Sequence, residues 1–220
     1  MPSVSILLPT LNEAESIGRT ITEVRAAVPQ AEIVVIDGLS TDRTVEIAKS
    51  LGARILLEKR KGKAFAIKAA FREIDSDYAV MIDADLTYPV KDIQKFLSLL
   101  KDYDVVLGSR FKGHFEEGAM PPINGFGNQM ISLVATVLYL KPVSDVCTGM
   151  WAFRKNAYKA IDVTAHTFEL ECNLFAQSVK KGLRMTEVPI DYARRGGTSK
   201  VQLMDGVKDC IFLLKERFRP

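Results

Sequence analysis

Short apolar runs alternate with segments whose apolar residues recur every three or four positions along the first half of the chain. The short runs have the length of buried strands, and the periodic segments have the spacing of amphipathic helices. Repeated β-α units of this kind build parallel sheets, so we predict an α/β fold with a Rossmann-like, mostly parallel sheet flanked by helices. The predicted strands are Val4–Leu8, Glu32–Ile36, Arg54–Glu58, Tyr78–Ile82 and Tyr103–Leu107.

Signals at the ends of the periodic segments refine the helix predictions. Asn12 and Glu15 have the spacing of a capping box, so the first helix should begin near Asn12, and Gly52 should end the second helix. In the second half of the chain a loop containing Gly and Pro comes first. An apolar helix over 130–140 and a strand-like segment over 150–154 follow it.

The composition is that of an ordinary compact domain, with 47% hydrophobic and 26% charged residues among 220. No linker or internal repeat divides the chain, so we predict one domain over 1–220 with two halves, 1–112 and 113–220. The net charge of +3 is too small to indicate nucleic acid without a clustered basic face, and we predict none.

The apolar segments do not predict export or membrane insertion. Met1–Pro9 has no basic segment ahead of its apolar run, so it predicts a first strand and not a signal peptide. The stretch over 130–140 is about half of what a membrane-spanning helix requires. We therefore expect a cytoplasmic protein, with peripheral contact at the cytoplasmic face of a membrane as an open alternative.

Cysteines and histidines limit the metal chemistry that the sequence indicates. Cys147, Cys172 and Cys210 are odd in number and form no CxxC pair, so the sequence predicts neither a disulfide framework nor a thiolate zinc site. His114 and His166 are the only imidazoles. A metal site should therefore be built from oxygen ligands, which favours Mg²⁺ or Mn²⁺ over Zn²⁺.

The residues that follow the predicted strands carry the candidate chemistry, because ligands of open α/β sheets bind outside the carboxyl ends of the strands. These segments are Pro9-Thr10-Leu11-Asn12-Glu13, Asp37-Gly38, Asp83-Ala84-Asp85 and Gly108-Ser109-Arg110. Neither a GxGxxG fingerprint nor a complete P-loop motif is present. Carboxylates dominate this edge of the predicted sheet.

Asp83 and Asp85 form the first candidate site. They place two carboxylates on one side of a chain that leaves an apolar strand, which suits a hard divalent cation. Such a cation would bridge diphosphate oxygens. The alternative is that both residues cap the following helix or form a turn, and the motif alone does not decide between these interpretations.

A basic cluster around Gly62 forms the second candidate site. It lies just before a predicted helix, where the backbone N–H groups and the helix dipole favour an anion such as a diphosphate. A solvated charge run at the tip of a loop is the competing interpretation. The cluster consists of Lys59, Arg60, Lys61 and Lys63.

Taken together, these segments resemble the family-two, inverting nucleotide-sugar glycosyltransferases with the GT-A fold, and more narrowly their dolichyl- and polyprenyl-phosphate sugar synthases. Further matching motifs are Ser40-Thr41-Asp42-Arg43-Thr44, Asp145-x-x-Thr148-Gly149 and Arg194-x-x-Gly197-x-Ser199-Lys200. The resemblance implies a UDP- or GDP-sugar donor bound by residues 1–112 and an acceptor bound by residues 113–220. The donor-binding residues that it implies are Pro9, Leu11, Glu13, Asp37, Lys63 and Ala84, with Asp83 and Asp85 as metal ligands.

Three cations suggest the acceptor. Arg110, Arg194 and Lys200 are suited to grip a phosphate, and Ser199 lies beside them in the motif. A phosphate oxygen attacks without a general base, whereas a sugar hydroxyl needs one, for which Asp145 is the leading candidate. The expected acceptor is a polyprenyl (dolichyl) phosphate. The competing interpretation of the 194–200 segment is a solvated loop, which would also suit a lid.

An apolar stripe near the C-terminus leaves a further choice open. It either packs on its own domain or rests on a membrane. The residues of the stripe are Leu203, Val207, Cys210, Ile211, Leu214 and Phe218.

The sequence also leaves three alternative functions open. They are transfer to a non-lipid acceptor, nucleotidyl transfer, and sugar-nucleotide binding without turnover.

Overall fold

The structure is a computed structural model that describes residues 2–167, 169–195 and 203–219, with the backbone alone for residues 203 and 204. Within these residues, seven strands form one sheet in the order β3-β2-β1-β4-β6-β5-β7. The strands are β1 Val4–Thr10, β2 Glu32–Asp37, β3 Arg54–Leu57, β4 Tyr78–Met81, β5 Val105–Ser109, β6 Trp151–Arg154 and β7 Met185–Pro189.

Eight α-helices accompany the sheet in the described part of the chain. They are α1 Ile17–Ala27, α2 Thr44–Ser50, α3 Lys63–Glu73, α4 Ile93–Leu99, α5 Pro122–Tyr139, α6 Lys155–Ala160, α7 Leu170–Lys180 and α8 Leu203–Phe218. None of these helices is both long and apolar enough to cross a bilayer.

All strands except β6 run in the same direction. β1 pairs in parallel with β2 and β4, β2 with β3, and β5 with β7, whereas β6 lies antiparallel between β4 and β5. The prediction of a mostly parallel α/β sheet is therefore confirmed. Because β1, β2 and β4 are adjacent and parallel, the segments that follow them meet at one edge of the sheet.

The sheet is buried on both faces, which accounts for the unbroken apolar runs of its central strands. Ile6 and Leu8 of β1 belong to one core cluster, together with Ile21 of α1. Leu7 points the other way, into a second cluster that includes Ile67 of α3 and Trp151 of β6. Helices on both faces thus hold the carboxyl edge of the sheet in place.

The start of the first helix differs from the prediction. α1 begins at Ile17, and Asn12 lies outside it with a positive φ of 55°. The Asn12 carboxamide oxygen accepts a hydrogen bond from the Thr41 backbone N–H at 2.8 Å, so the side chain joins two loops. The capping-box prediction is therefore wrong, because a tertiary partner competes for the side chain that would cap the helix.

The second half contains more regular structure than its apolar pattern predicts. The apolar helix of 130–140 begins already at Pro122, where proline suits the first helical turn. Helices α6 and α7 and strand β7 were not predicted. β7 carries Thr186 and Glu187 and is only half-buried over most of its length, so it lacks the apolar run that marks the central strands.

Candidate functional site

The loops after β1, β2 and β4 open into a cavity of about 880 Å³. Helices α3, α5, α7 and α8 and several further loops contribute the other walls. The cavity collects side chains from both halves of the chain, as a site for two substrates requires. The predicted catalytic, donor-binding and metal-binding residues that line it are Pro9, Leu11, Glu13, Lys63, Asp83, Ala84, Asp85 and Arg110.

Asp83 follows β4 and lies against Gly149. A Cβ atom at position 149 would lie 2.1 Å from the Asp83 Oδ2 atom, so only glycine leaves room for this carboxylate. The Gly149 backbone N–H also donates a hydrogen bond to the Tyr88 hydroxyl at 2.6 Å. The loop before β6 therefore forms a close support behind the first carboxylate of the pair.

Lys63, the first residue of α3, bridges Asp83 to Glu171 of α7. Its Nζ atom lies 2.6 Å from Asp83 Oδ1 and 2.6 Å from Glu171 Oε1. Burial alone would lower the pKa of Lys63, but the charges of Asp83 and Glu171 outweigh it and raise the pKa above its ordinary value. Lys63 is therefore a cation, and Glu171 is a site residue that sequence reasoning missed.

Arg195 bridges Asp85 to Glu13 in a similar way. Its guanidinium lies 3.3 Å from Asp85 Oδ2 and 2.9 Å from Glu13 Oε1. Asp85 also accepts hydrogen bonds from the side chain and backbone of Thr87, at 2.6 and 3.2 Å. Burial and the charge of Asp83 nevertheless raise the pKa of the Asp85 carboxyl. A cation close to this carboxylate therefore stabilises its ionised form.

The surroundings of Asp83 and Asp85 fit a divalent cation. Both carboxylates face the cavity, supply hard oxygen ligands and already attract a cation each. The glycine at position 149 keeps the space beside Asp83 free of any side chain. The interpretation of these residues as mere turn or cap residues explains neither the shared cavity nor the half-buried cations paired with them.

Arg110 lines the cavity and forms a buried ion pair with Asp145 behind it. Asp145 Oδ2 accepts hydrogen bonds from the backbone N–H and Nε of Arg110 at 2.9 and 2.7 Å, and Oδ1 accepts from the second guanidinium nitrogen at 2.8 Å. The guanidinium also lies 5.2 Å from the centre of the Tyr192 ring. Arg110 is thereby fixed in position at the cavity wall.

Asp145 does not have the surroundings of a general base. It is fully buried, it does not line the cavity, and both of its oxygens are engaged by Arg110. The proposal that it activates an acceptor hydroxyl is therefore wrong, because a base needs a free oxygen within reach of the substrate. Asp145 positions Arg110 instead.

Asp37 and Arg194 also lie away from the cavity. Asp37 is fully buried and accepts hydrogen bonds from the backbone and side chain of Ser40 at 2.8 and 2.5 Å, so it shapes the loop after β2. Arg194 is exposed and binds Glu116 and the carbonyl of Glu117. Of the two arginines of this segment that the structure describes, Arg195 is the one that lines the cavity.

The remaining predictions concern the basic cluster and the 199–200 segment. Lys59, Arg60 and Lys61 line the cavity together with Lys63, and Arg60 forms an ion pair with Glu58 at 2.6 Å. The cluster is thus part of the cavity wall and not a remote loop. Ser199 and Lys200 lie outside the described residues.

Comparison with known proteins identifies the family. A model of glycosyl transferase family 2 matches residues 5–162. The chain belongs to glycosyl transferase family 2. The resemblance found in the sequence motifs is thereby confirmed, and the chain is a glycosyltransferase.

Two relatives of this family 2 glycosyltransferase come from Haloferax volcanii. The low-salt glycan biosynthesis hexosyltransferase Agl6 is 34% identical over 97% of this chain, which spans 53% of the length of Agl6. A dolichyl-phosphate hexose transferase is 35% identical over 98% of this chain and 96% of its own length. The chain therefore corresponds to about half of the first relative and to nearly all of the second.

The fold is also that of a solved glycosyltransferase. Glucosyl-3-phosphoglycerate synthase from Mycobacterium tuberculosis, in complex with Mn²⁺, uridine diphosphate and glucosyl-3-phosphoglycerate, superposes with a TM-score of 0.80 at 21% identity. The match covers 98% of this chain and 80% of that one. This likeness confirms the GT-A-like fold of the family 2 glycosyltransferase.

The buried Arg110–Asp145 pair yields a prediction for stability. Asp145→Ala should lower the free energy of unfolding by about 3–5 kcal/mol, because it leaves the Arg110 charge buried without its partner. Asp75→Ala is the matched control, since Asp75 pairs with Lys155 at 2.9 Å on the exposed surface and its loss should change little. Urea unfolding measures both. Equal free energies for the two variants would contradict the positioning role of Asp145.

Proposed function

We propose that this family 2 glycosyltransferase transfers a sugar, with inversion, from a UDP- or GDP-sugar to a polyprenyl phosphate, and that transfer requires Mg²⁺ or Mn²⁺. The observation that carries the proposal is the single cavity in which Asp83 and Asp85 face a set of cations from both halves of the chain. A nucleotide diphosphate and a second phosphate are the ligands that such a combination of charges suits.

The donor half of the proposal rests on residues 1–112. Pro9, Leu11, Glu13 and Ala84 line the part of the cavity next to the two aspartates. A divalent cation held by Asp83 and Asp85 would supply charge that stabilises the departing diphosphate. Lys63 stands at the N-terminus of α3, where the helix dipole adds to its own positive charge and favours the same anion.

The part of the proposal that concerns the acceptor rests on Arg110 and Arg195. Both line the cavity, and Arg110 is held rigidly by Asp145. The carboxylates Glu13 and Glu171, which share Arg195 and Lys63 with the aspartate pair, are both held in ion pairs. A phosphate acceptor suits this arrangement, because its oxygen attacks the sugar directly and needs no carboxylate to remove a proton.

Helix α8 favours a lipid as the acceptor. Its polar residues Asp205, Asp209 and Glu216 are buried, whereas apolar residues of the predicted stripe face outward. The exposed members are Val207, Ile211, Leu214 and Phe218, spaced by four, three and four positions. A helix that packs only on its own domain would bury this stripe, so the arrangement favours an apolar environment outside the protein.

Helix α5 extends the same apolar surface. It packs against α8, and the Tyr139 hydroxyl donates a hydrogen bond to the Leu213 carbonyl at 3.0 Å. Its outward side chains repeat every three or four positions and also remain exposed. We call the two stripes together the apolar face; its α5 members are Ile123, Phe126, Met130, Leu133 and Val137.

The apolar face adjoins the cavity. Ile123 belongs to both, and Ile131 and Gly206 line the cavity from the same two helices. A polyprenyl phosphate that lies against the face would therefore present its phosphate at the cavity. Lys208 and Lys215, both exposed on α8, suit the anionic surface of a cytoplasmic leaflet.

The alternatives are less well supported. A nucleotidyltransferase usually opens with a Gly-rich loop after its first strand, and Pro9–Glu13 is no such loop. A soluble acceptor of the kind named for the mycobacterial synthase would give no role to an apolar face beside the cavity. Membership of glycosyl transferase family 2 disfavours a binding module without turnover. The named relative that transfers hexose to dolichyl phosphate favours the lipid.

The metal requirement is tested by nucleotide binding. Chelation of divalent metal, or Asp85→Asn, should abolish transfer and weaken UDP or GDP binding at least about tenfold, or about 1.4 kcal/mol. Gly149→Ala should do the same, because its Cβ would displace the Asp83 carboxylate. Gly125→Ala is the control, since its Cβ would meet only the Met120 sulfur at 3.6 Å. Calorimetric affinities that survive chelation would refute the requirement.

The acceptor is tested with radiolabelled donor sugars. Polyprenyl phosphate should accept label, whereas unphosphorylated polyprenol, 3-phosphoglycerate and simple sugars should not. Arg195→Ala should lower turnover by roughly 10- to 100-fold, the range for a lost charged hydrogen bond, with a smaller change in nucleotide affinity. Arg194→Ala is the neighbouring control and should retain most activity. Efficient transfer to a soluble acceptor, with polyprenyl phosphate inert, would overturn the assignment.

The apolar face is tested by flotation with anionic liposomes. Phe126→Ser combined with Phe218→Ser should reduce the bound fraction more than about tenfold, since burying each ring contributes roughly 1.5–3 kcal/mol. Leu57→Ser is the matched control, because Leu57 on edge strand β3 is as exposed as Phe126, at 63%, but belongs to neither helix. Binding that is insensitive to the double substitution would show that another surface meets the membrane.

A further inference from the structure

Three side chains with metal-binding chemistry meet at the wall of the cavity, apart from Asp83 and Asp85. They are Cys147 from the loop before β6, Cys172 from the first turn of α7, and Asp209 from α8. One ligand atom from each, two sulfurs and a carboxylate oxygen, lie within 4.8 Å of one another. All three residues line the cavity, so the cluster is open to it on one side.

Asp209 lacks the partner that a buried carboxylate requires. It is 8% exposed, and its Oδ1 atom has no hydrogen-bond partner among the described residues. Burial and the charges of Glu171, Glu169 and Asp205 raise its pKa to about 8. Asp83 and Asp85 each have a cation beside them, whereas this carboxylate faces two thiols. The environment of Asp209 is therefore one that a bound cation would stabilise.

The donor set indicates which cation fits. Cys172 is buried, Cys147 is half-buried, and both are free thiols. Thiolate sulfur binds borderline-soft cations such as Zn²⁺, whereas Mg²⁺ prefers oxygen ligands alone. We propose that Cys147, Cys172 and Asp209 form a second metal site, selective for Zn²⁺ and similar cations, beside the oxygen-only site of Asp83 and Asp85.

The position of the cluster indicates what its occupancy would do. Bound metal would connect α8 to α7 and to the loop that also carries Asp145 and Gly149. Three protein ligands leave a fourth coordination position, which faces the cavity because all three residues line it. The site would therefore fasten the C-terminal helix, with its apolar face, to the wall of the substrate cavity.

Cobalt spectroscopy tests the site independently of activity. The reduced protein is titrated with Co²⁺ in millimolar Mg²⁺, which occupies oxygen-only sites without forming metal–thiolate bonds. Wild type should develop a thiolate-to-cobalt charge-transfer band in the near ultraviolet that saturates at one Co²⁺ per chain and disappears when Zn²⁺ is added. Zn²⁺ should also raise the melting temperature.

Variants decide whether the band belongs to this cluster. Cys147→Ser and Cys172→Ser should each lose it or change its intensity, and Asp209→Asn should weaken Co²⁺ affinity by roughly 10- to 100-fold. Cys210→Ser is the control, because Cys210 is the third cysteine and packs against the core beside the cluster. Circular dichroism confirms that each variant is folded, and the half-buried Cys147 gives a second test if Cys172→Ser unfolds. The proposal would be overturned if wild type shows no band, if the band persists unchanged in both cysteine variants of the cluster, or if Cys210→Ser loses it.

Discussion

Two cations separate four of the carboxylates that line the cavity of this glycosyltransferase, and the arrangement of the site depends on these cations. Lys63 lies between Asp83 and Glu171, and Arg195 lies between Asp85 and Glu13. Two like charges about 4 Å apart repel by about 4 kcal/mol near a protein surface, so the carboxylates cannot approach one another without these bridges. Each cation also joins distant parts of the chain. The electrostatic balance therefore fixes the relative positions of the loops, α3 and α7 around the cavity.

Part of this site could be predicted because the sheet dictates it. Strands buried on both faces are visible as apolar runs, and the carboxyl ends of β1 and β4 place Glu13, Asp83 and Asp85 at one edge. The residues that complete this network of ion pairs could not be predicted in this way. Glu171 meets Lys63 across 108 positions of sequence, and no local pattern marks such a contact. Arg195 differs from Arg194 only in the direction of its side chain.

Local motifs failed where a tertiary partner took over the side chain. Asn12 has the spacing of a helix cap, but its carboxamide binds the Thr41 backbone and the helix begins five residues later, at Ile17. Asp145 has the residue type of a base, but Arg110 engages both of its oxygens. In both cases the residue type correctly indicated a side chain that forms structural hydrogen bonds, but the sequence did not reveal which partner it binds. Hydrogen bonds to a buried cation or to a loop backbone outweigh the weak preferences that sequence spacing expresses.

Helix α8 shows a different limit of sequence reasoning. Periodicity reveals which residues share a face, but it does not reveal whether that face turns towards the core. Here the assumption that apolar residues turn inward fails, because Asp205, Asp209 and Glu216 occupy the buried side. Glu216 is held there by a partner from another element, since the Gln177 amide of α7 donates a hydrogen bond to it at 2.6 Å. The outward orientation of the apolar stripe is therefore a consequence of polar contacts made on the opposite side of the helix. Asp205 and Asp209 line the cavity, so the charge pattern of the cavity also influences the surface that we propose meets the lipid.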